Sequence, residues 1–557
     1  MTKEQISRIP NPVIPGFNPD PSLCRVGEDY FLATSTFEYF PGVPIYHSRD
    51  LVNWNLIGHA LNRPSQLFMR RVDPGGGIFA PTLRWHKGKF YMATCCIYTR
   101  QGSPVSWFID CCVISVLALS ANKCQCAESR GFYVWTNNIF DQSTWSEPIY
   151  FDNLGIDQDL FFDDDDKVYL STSRWLPLRG SPSEVGSVIF ASEIDLATGS
   201  SLSQPVMLRR SLHSSRCSEG SHIFKMHGWY YLLVAEGGTH IDHQAWIFRS
   251  KSPLGLYEEP PSGVNPILFN GHHESVQNVG HADFVQDTRG DWWAFFLGVR
   301  IQENECGPLG RETFFCPVSW NSEGWPVCNG GKDIGLEVKT SLLPPQKPYT
   351  GWTDEFDQDK LDMSWYHLRT PVKQIYSLSN SPGALTLWGN AFCIQDVEAA
   401  AMLLQKQVSL RGLWSTSLDF EPRSSNEEAG TTIFWSCYAY AALVVRQGEQ
   451  PGTREIQMRW ICEESEDVKT LTKSLPLPSS GPVTLFIEAR PNSYSLAFQA
   501  QGSLDSTKLG QVSTAVLERR RLFDSPYTGP HFGLFAQGSE GFPCLEPAVF
   551  HRASFEV

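Results

Sequence analysis

Apolar and aromatic residues along roughly the first 300 positions come in short runs, and each run is entered from a tight polar turn. Five copies of this pattern stand out: Gly27-Glu-Asp-Tyr-Phe-Leu-Ala, Lys87-Gly-Lys-Phe-Tyr-Met-Ala, Asp165-Asp-Lys-Val-Tyr-Leu-Ser, His227-Gly-Trp-Tyr-Tyr-Leu-Leu and Arg289-Gly-Asp-Trp-Trp-Ala-Phe. Each reads as the turn and second strand of a β-hairpin, because left-handed turn residues lead into β-branched and aromatic side chains. The turn markers Gly27, Gly88, Asp166, Gly228 and Gly290 are spaced by 61, 78, 62 and 62 residues, so only the second interval is irregular. A β unit of this length cannot bury both faces alone, and radial stacking around a channel solves that problem. Five copies predict a five-bladed β-propeller.

About one strand before each aromatic run stands a residue that should line the channel: Asp20, Ala80, Asp157, Glu219 and His281. Four of the five are ionisable. Acids brought together on one axis repel and shift each other's pKa, an arrangement typical of catalytic sites. Two carboxyls on opposite sides of a sugar can hydrolyse a glycosidic bond, one protonating the leaving oxygen while the other deprotonates water. A third can tune the acid and hold the substrate. Taken alone, Asp20 in Asn18-Pro-Asp-Pro-Ser22 is as readily a turn residue bonding its own backbone. Its place in the repeat is what singles it out.

Beyond Ile334 the pattern changes. The Pro-rich stretch Ser341-Leu-Leu-Pro-Pro-Gln-Lys-Pro-Tyr349 should be an extended connector. Short alternating or clustered apolar runs follow, among them Ala384–Trp388, Thr432–Trp435, Ala442–Arg446, Glu455–Ile461, Thr484–Glu488 and Ser493–Phe498, the pattern of a β-sandwich. The expected organisation is all-β: a propeller over 1–340, a linker over 341–350 and a sandwich over 351–557. The long second interval holds a segment near 104–129 with an apolar core from Val105 and four cysteines. It is too short for a membrane span and contains Asp110, and it reads as a translated, unspliced intron of a eukaryotic gene.

Composition narrows the function classes. A net charge of −15 argues against a nucleic-acid partner, which needs clustered Lys and Arg, and a neutral substrate fits better. Aromatic residues make up 13% of the chain, with 18 Trp, and suit both β packing and flat sugar rings. The start, Met1-Thr-Lys-Glu-Gln5, has no apolar signal region, and the odd count of 15 cysteines suggests no disulfide scaffold, so the expected setting is cytoplasmic. No paired spacing marks a metal site, and no cofactor, metal or membrane contact is expected. A cation in the channel is not called for, and a homo-oligomer is left open.

The runs Asn11-Pro-Val-Ile-Pro-Gly-Phe-Asn-Pro-Asp-Pro-Ser22, Ser35-Thr-Phe-Glu-Tyr-Phe-Pro-Gly42 and Tyr46-His-Ser-Arg-Asp-Leu-Val-Asn-Trp54 resemble glycoside hydrolase family 43, in particular its two-domain β-xylosidases. So do Ser218-Glu-Gly220, Leu233-Val-Ala-Glu-Gly-Gly-Thr239, Gly280-His-Ala-Asp283 and Pro308-Leu-Gly-Arg-Glu-Thr313. The resemblance implies an inverting, exo-acting glycosidase with Asp20 as general base, Glu219 as general acid and Asp157 as the carboxylate that tunes the acid and orients substrate. It further implies substrate-binding roles for Phe37, Trp175, His281 and Arg311, and for Tyr527 reaching in from the sandwich. His281 is placed to bond Glu219 or Asp157.

The implied reaction releases D-xylose from non-reducing ends of β-1,4-xylo-oligosaccharides. α-L-Arabinofuranosidase activity in the same pocket is the alternative, and a non-catalytic sugar-binding propeller is another should the insertion spoil blade two. Two departures from the family pattern stand out: Phe79-Ala-Pro81 in place of a Trp before Ala-Pro, and Gly155-Ile-Asp-Gln-Asp-Leu160, which sets Asp159 two residues from Asp157 where it is expected to disturb that carboxyl.

Overall fold

A computed structural model describes residues 6–98, 129–178, 181–211, 217–464, 467–518 and 527–557. Of the anomalous segment 104–129, only Ser129 falls within the described residues.

The protein is all-β, and its first part is a five-bladed propeller. Blade one is a four-stranded antiparallel sheet of Ser22–Val26, Asp29–Ala33, Gly42–Ser48 and Asn55–Leu61. Blade two comprises Gly77–His86, Lys89–Ile97, Ser129–Thr136 and Ile149–Tyr150. Its second and third strands pair from Ile97 with Ser129 to Phe90 with Thr136, so the irregular interval falls in the connection between them and all four strands are in place. Blade three is Ile156–Phe162, Val168–Leu178, Ser181–Ile194 and Val206–Arg210. Blade four has the three strands Ser218–Met226, Trp229–Glu236 and Gln244–Ser250. Blade five is Val276–Gln286, Trp292–Arg300, Arg311–Trp320 and Pro326–Cys328.

The first strands of the five blades neighbour one another in a closed ring around the channel. Each repeated turn joins the first strand of its blade to the second. Lys87 with Gly88 and His227 with Gly228 have the positive φ that a two-residue hairpin turn demands. The strand Glu337–Thr340 returns to pair with Ser7–Pro10, bringing the end of the propeller back to its beginning.

The first strands are not regular. In blades two to five the pairing with the second strand slips at a bulge, between Phe79 and Thr82, Ile156 and Asp159, Glu219 and His222, and Gly280 and Asp283. A left-handed residue sits at each bulge: Ala80, Asp157, Gly220 and His281, matched in blade one by Asp20 at φ 55° just ahead of its strand. A bulge kinks the strand and re-aims its side chains, here at the mouth of the channel. This corrects the expected equivalence by one residue in blade four. The left-handed position is Gly220, and Glu219 precedes it. Counting eleven back from an aromatic misses this because the reference rings are not equivalent: Tyr91 is the third residue of its strand and Tyr230 the second of its own.

Two residues beyond the left-handed position the five strands contribute Ser22, Thr82, Asp159, His222 and Asp283, and Arg84 plugs the axis among them. Its guanidinium donates to Asp283 Oδ2 at 2.8 Å, Asp159 Oδ1 at 2.8 Å, His222 Nδ1 at 3.0 Å and Ser22 Oγ at 3.1 Å. Burial alone would raise Asp283, but Arg84, His222 and Ser22 together outweigh it and hold that carboxyl at about 2. The expected disturbance of Asp157 by Asp159 is answered here. Asp159 spends its oxygens on Arg84 and on the backbone N–H of Ile223 at 2.9 Å, so its charge is matched by a cation within its own layer.

The second part packs two sheets. One contains Gly351–Asp354, Tyr376–Ser377, Leu385–Leu387, Gly412–Asp419, Val483–Arg490, Ser493–Ala500, Thr507–Ser513 and Ala548–Glu556. The other contains Met402–Lys406, Glu427–Ser436, Ala439–Gln447, Arg454–Glu464, Asp467–Leu477 and His531–Gly538. Val483–Arg490 alternates buried and half-buried residues, as a strand with one face in a core should. Between the sheets lie Trp414, Leu443, Leu485 and Phe550, with Trp414 stacked on Phe532 at 5.1 Å between ring centroids.

Glu427–Ser436 is buried at every position, because the second sheet is covered on both faces. Its outer face carries Met402, Leu404, Phe434, Tyr440 and Phe535 into one cluster with Phe17, Phe37 and Tyr39 of the propeller. His367–Leu368 also pairs with Tyr39–Phe40, stitching the two parts edge to edge. The connector 341–350 has no regular structure and runs over the surface, where Gln346 donates to Val13 O at 3.0 Å.

Candidate active site

A cavity of about 400 Å³ opens at the mouth of the channel, and its wall includes Asp20, Phe37, Asp157, Trp175, Glu219, His281, Arg311 and Tyr527. These are all the site residues singled out from the sequence, drawn from blades one, three, four and five and from the sandwich. Phe37 is itself left-handed, at φ 51°, and pairs its backbone with Ile78 of blade two. That turn aims its ring at Phe79, 4.6 Å away, and at Tyr527, 6.1 Å away. An apolar rim is thus built jointly by both parts of the chain.

The three acids sit in different electrostatic surroundings. Asp20 is buried, which by itself favours protonation, but Arg311 Nη1 lies 3.4 Å and His281 Nδ1 3.3 Å from its Oδ1, and Ser35 Oγ donates to Oδ2 at 2.6 Å. These partners outweigh burial and hold the carboxyl well below the usual range, so it is ionised at any ordinary pH. Glu219 is the opposite case. Burial first, and then the charge of Asp157, push it from 4.5 up to about 8, so at neutral pH it holds its proton. Asp157 is also raised, by burial before the charge of Asp20, although it accepts a hydrogen bond from the Gly220 backbone N–H at 2.8 Å. That bond ties Asp157 to the peptide immediately after Glu219.

His281 departs from expectation. It pairs with Asp20 rather than with Glu219 or Asp157, and although burial opposes its charge, Asp20 raises its pKa. The left-handed turn at His281 swings its ring toward blade one, a direction that strand periodicity cannot show. Arg311 spans the two parts of the chain, donating to Tyr527 O at 2.9 Å and Thr239 Oγ1 at 3.1 Å as well as to Asp20.

Sequence reasoning missed several wall residues, among them Thr239, His240 and His243. Thr239 ends the quoted Leu233–Thr239 run, so a signal was present. His243 had none. Its Nδ1 donates to Asn278 O at 2.9 Å, and burial pulls it down to about 3, so it is neutral. Among the described residues no group of three or more His, Cys, Asp or Glu side chains is gathered to hold a metal ion. Among them, too, no helix is long and apolar enough to cross a membrane.

One carboxyl held ionised and another held protonated in a single cavity is the arrangement of an acid–base hydrolase. The profile of the Glycosyl hydrolases family 43 matches residues 9–326, more than half of the chain, and that of the beta xylosidase C-terminal concanavalin A-like domain matches 353–556. The chain belongs to glycosyl hydrolase family 43 and is a glycosidase.

Among its relatives, a non-reducing end α-L-arabinofuranosidase of Bacteroides ovatus is 35% identical over 98% of this chain and 94% of its own. A β-xylosidase of Bacillus subtilis is 31% identical over 98% and 97%. The crystal structure of a xylan β-1,4-xylosidase from Bacillus halodurans superposes with a TM-score of 0.87 at 30% identity, covering 99% of this chain and 100% of that one.

Proposed function

We propose that the protein is an exo-acting, inverting glycosidase that removes terminal D-xylose from β-1,4-xylo-oligosaccharides, with Asp20 as general base and Glu219 as general acid. Water deprotonated by Asp20 attacks the anomeric carbon. The glycosidic C–O bond breaks as Glu219 delivers its proton to the leaving oxygen. Asp157 keeps that proton in place before the reaction, and Arg311 and His281 keep Asp20 free of one. The observation that carries this reading is the opposite protonation of Asp20 and Glu219 within one cavity. One carboxyl taking a proton from water and the other giving one to the leaving oxygen suffice, and the reading calls for no cofactor.

Exo action is supported by the wall that Tyr527 and the sandwich raise against the cavity, which suits a chain end better than the middle of a polymer. A second substrate, a terminal α-L-arabinofuranoside, is favoured by the relative named as an arabinofuranosidase, which matches nearly the whole chain. The test is hydrolysis of nitrophenyl β-D-xyloside and nitrophenyl α-L-arabinofuranoside by purified protein, with the first-formed anomer followed by NMR. α-Xylose released first from the β-xyloside is the expected result. β-Xylose released first would refute inversion, and no turnover of either glycoside would refute the substrate assignment.

A further inference from the structure

The sandwich does more than wall the cavity. Its strand Met402–Lys406 ends on a lysine whose Nζ crosses to the propeller and donates to Asn18 Oδ1 at 2.8 Å. The same nitrogen lies 5.7 Å from the ring centroid of Phe17 and 5.1 Å from that of Tyr366, and burial pulls its pKa from 10.5 down to about 7. Asn18 is 2% exposed and every polar group it has is engaged. Its backbone N–H donates to Arg311 O at 3.1 Å, and its carbonyl accepts from Thr313 Oγ1 at 2.6 Å. Its Nδ2 donates to Pro15 O at 3.0 Å, and Oδ1 also accepts from Tyr46 Oη at 2.7 Å.

Two residues earlier the two parts of the chain approach more closely still. A Cβ on Gly16, at φ 76°, would stand 2.6 Å from Gln407 O, so only glycine lets the two backbones meet there. Residues 16–18 are therefore gripped on one side by 311–313 of blade five and on the other by 406–407 of the sandwich. Asp20 follows after a single proline, in a left-handed conformation that its surroundings must hold.

We propose that Lys406 is a positioning residue for the reaction: through Asn18 it fixes the backbone that carries Asp20 and Arg311, so that the sandwich sets the aim of the base. This rests on the assignment of Asp20 as base made above. Asn18 links the three: its side chain accepts from the sandwich lysine, its backbone N–H donates to Arg311 O, and the base follows two residues on. Loosening it leaves the cavity and its aromatic rim intact while letting Asp20 drift from Arg311 and His281. A reacting group misplaced by about 1 Å loses on the order of 100-fold in rate, and partial loosening costs less.

The experiment compares wild type with Lys406→Met and Lys406→Arg on nitrophenyl β-D-xyloside, measuring kcat, KM and the acid limb of kcat/KM. For Lys406→Met the expected result is a kcat lower by about 10-fold with KM within about twofold, and an acid limb moved to higher pH. Lys406→Arg, which keeps a hydrogen-bond donor, should recover at least half of the logarithmic loss in kcat. A Lys406→Met protein with wild-type kcat and acid limb overturns the proposal, as does a loss in KM alone. Should that variant fail to fold, the polar Lys406→Gln, one bond too short to keep the contact, takes its place with the same expected losses and the same overturning outcomes. Asp20→Asn separates the two claims. If it retains turnover, the base assignment has failed; if it is inactive while Lys406→Met is unchanged, only the tether has failed.

Discussion

Asp157→Asn isolates what keeps the proton on Glu219. The substitution preserves shape and still offers an oxygen to the Gly220 N–H, but removes the charge that, after burial, does most to raise Glu219. Like charges act over roughly 4–6 Å, and with an effective dielectric near 20 their repulsion there is about 3–4 kcal/mol. That corresponds to an upper bound of roughly 2–3 pH units at about 1.36 kcal/mol per unit. Asp157 is itself raised and the two carboxyls titrate as an interacting pair, so the shift falls short of that bound and about 1 unit or more is the expectation.

The sign follows from the proposed role: a general acid must be protonated, so activity should fall as pH rises through the pKa of Glu219, about 8. The assay is the pH dependence of kcat/KM on an aryl xyloside, which reports free-enzyme ionisations. In Asp157→Asn the alkaline limb should move down by about 1 unit or more while the acid limb, set by Asp20, stays low. An alkaline limb within about 0.3 units of wild type would refute the claim that Asp157 holds the proton on Glu219.

Glu219→Gln should be inactive on substrates with poor leaving groups yet more stable than wild type above pH 5. The folded-state pKa is raised from 4.5 to about 8, so stability is lost as pH rises across that window, up to about 3 kcal/mol by pH 7. Thermal melts at pH 4 and pH 7 check this, with the gain expected only at the higher pH. Arg311→Met removes the strongest influence lowering Asp20, so the acid limb of kcat/KM should move to higher pH, whereas an unmoved limb would assign that ionisation elsewhere. Arg84→Met leaves Asp159 and Asp283 buried without their cation, which should cost about 3–5 kcal/mol in denaturant unfolding of the propeller. A variant as stable as wild type would show the plug to be dispensable.

The sequence by itself determined the architecture and named eight of the residues that line the cavity. Hairpins with φ-positive turn residues such as Lys87-Gly88 and His227-Gly228 recur at a fixed interval because each blade must start the same way, and that regularity is local enough to read. The acids were legible because an ionisable residue recurring at the head of successive channel strands has no packing reason to be there.

What only the tertiary structure decided lies wherever a contact spans hundreds of residues or a strand breaks its period. The bulges place Gly220, not Glu219, at the left-handed position and turn His281 onto Asp20, since alternation along a strand cannot encode a register slip against its neighbour. The neutral His243 at the cavity wall, the Arg84 plug across all five blades and the bond from Lys406 to Asn18 were likewise silent in the sequence. Their meaning depends on which charges and dipoles the folded chain brings within a few ångströms, and those distances are set by the closing of the ring and the docking of the sandwich.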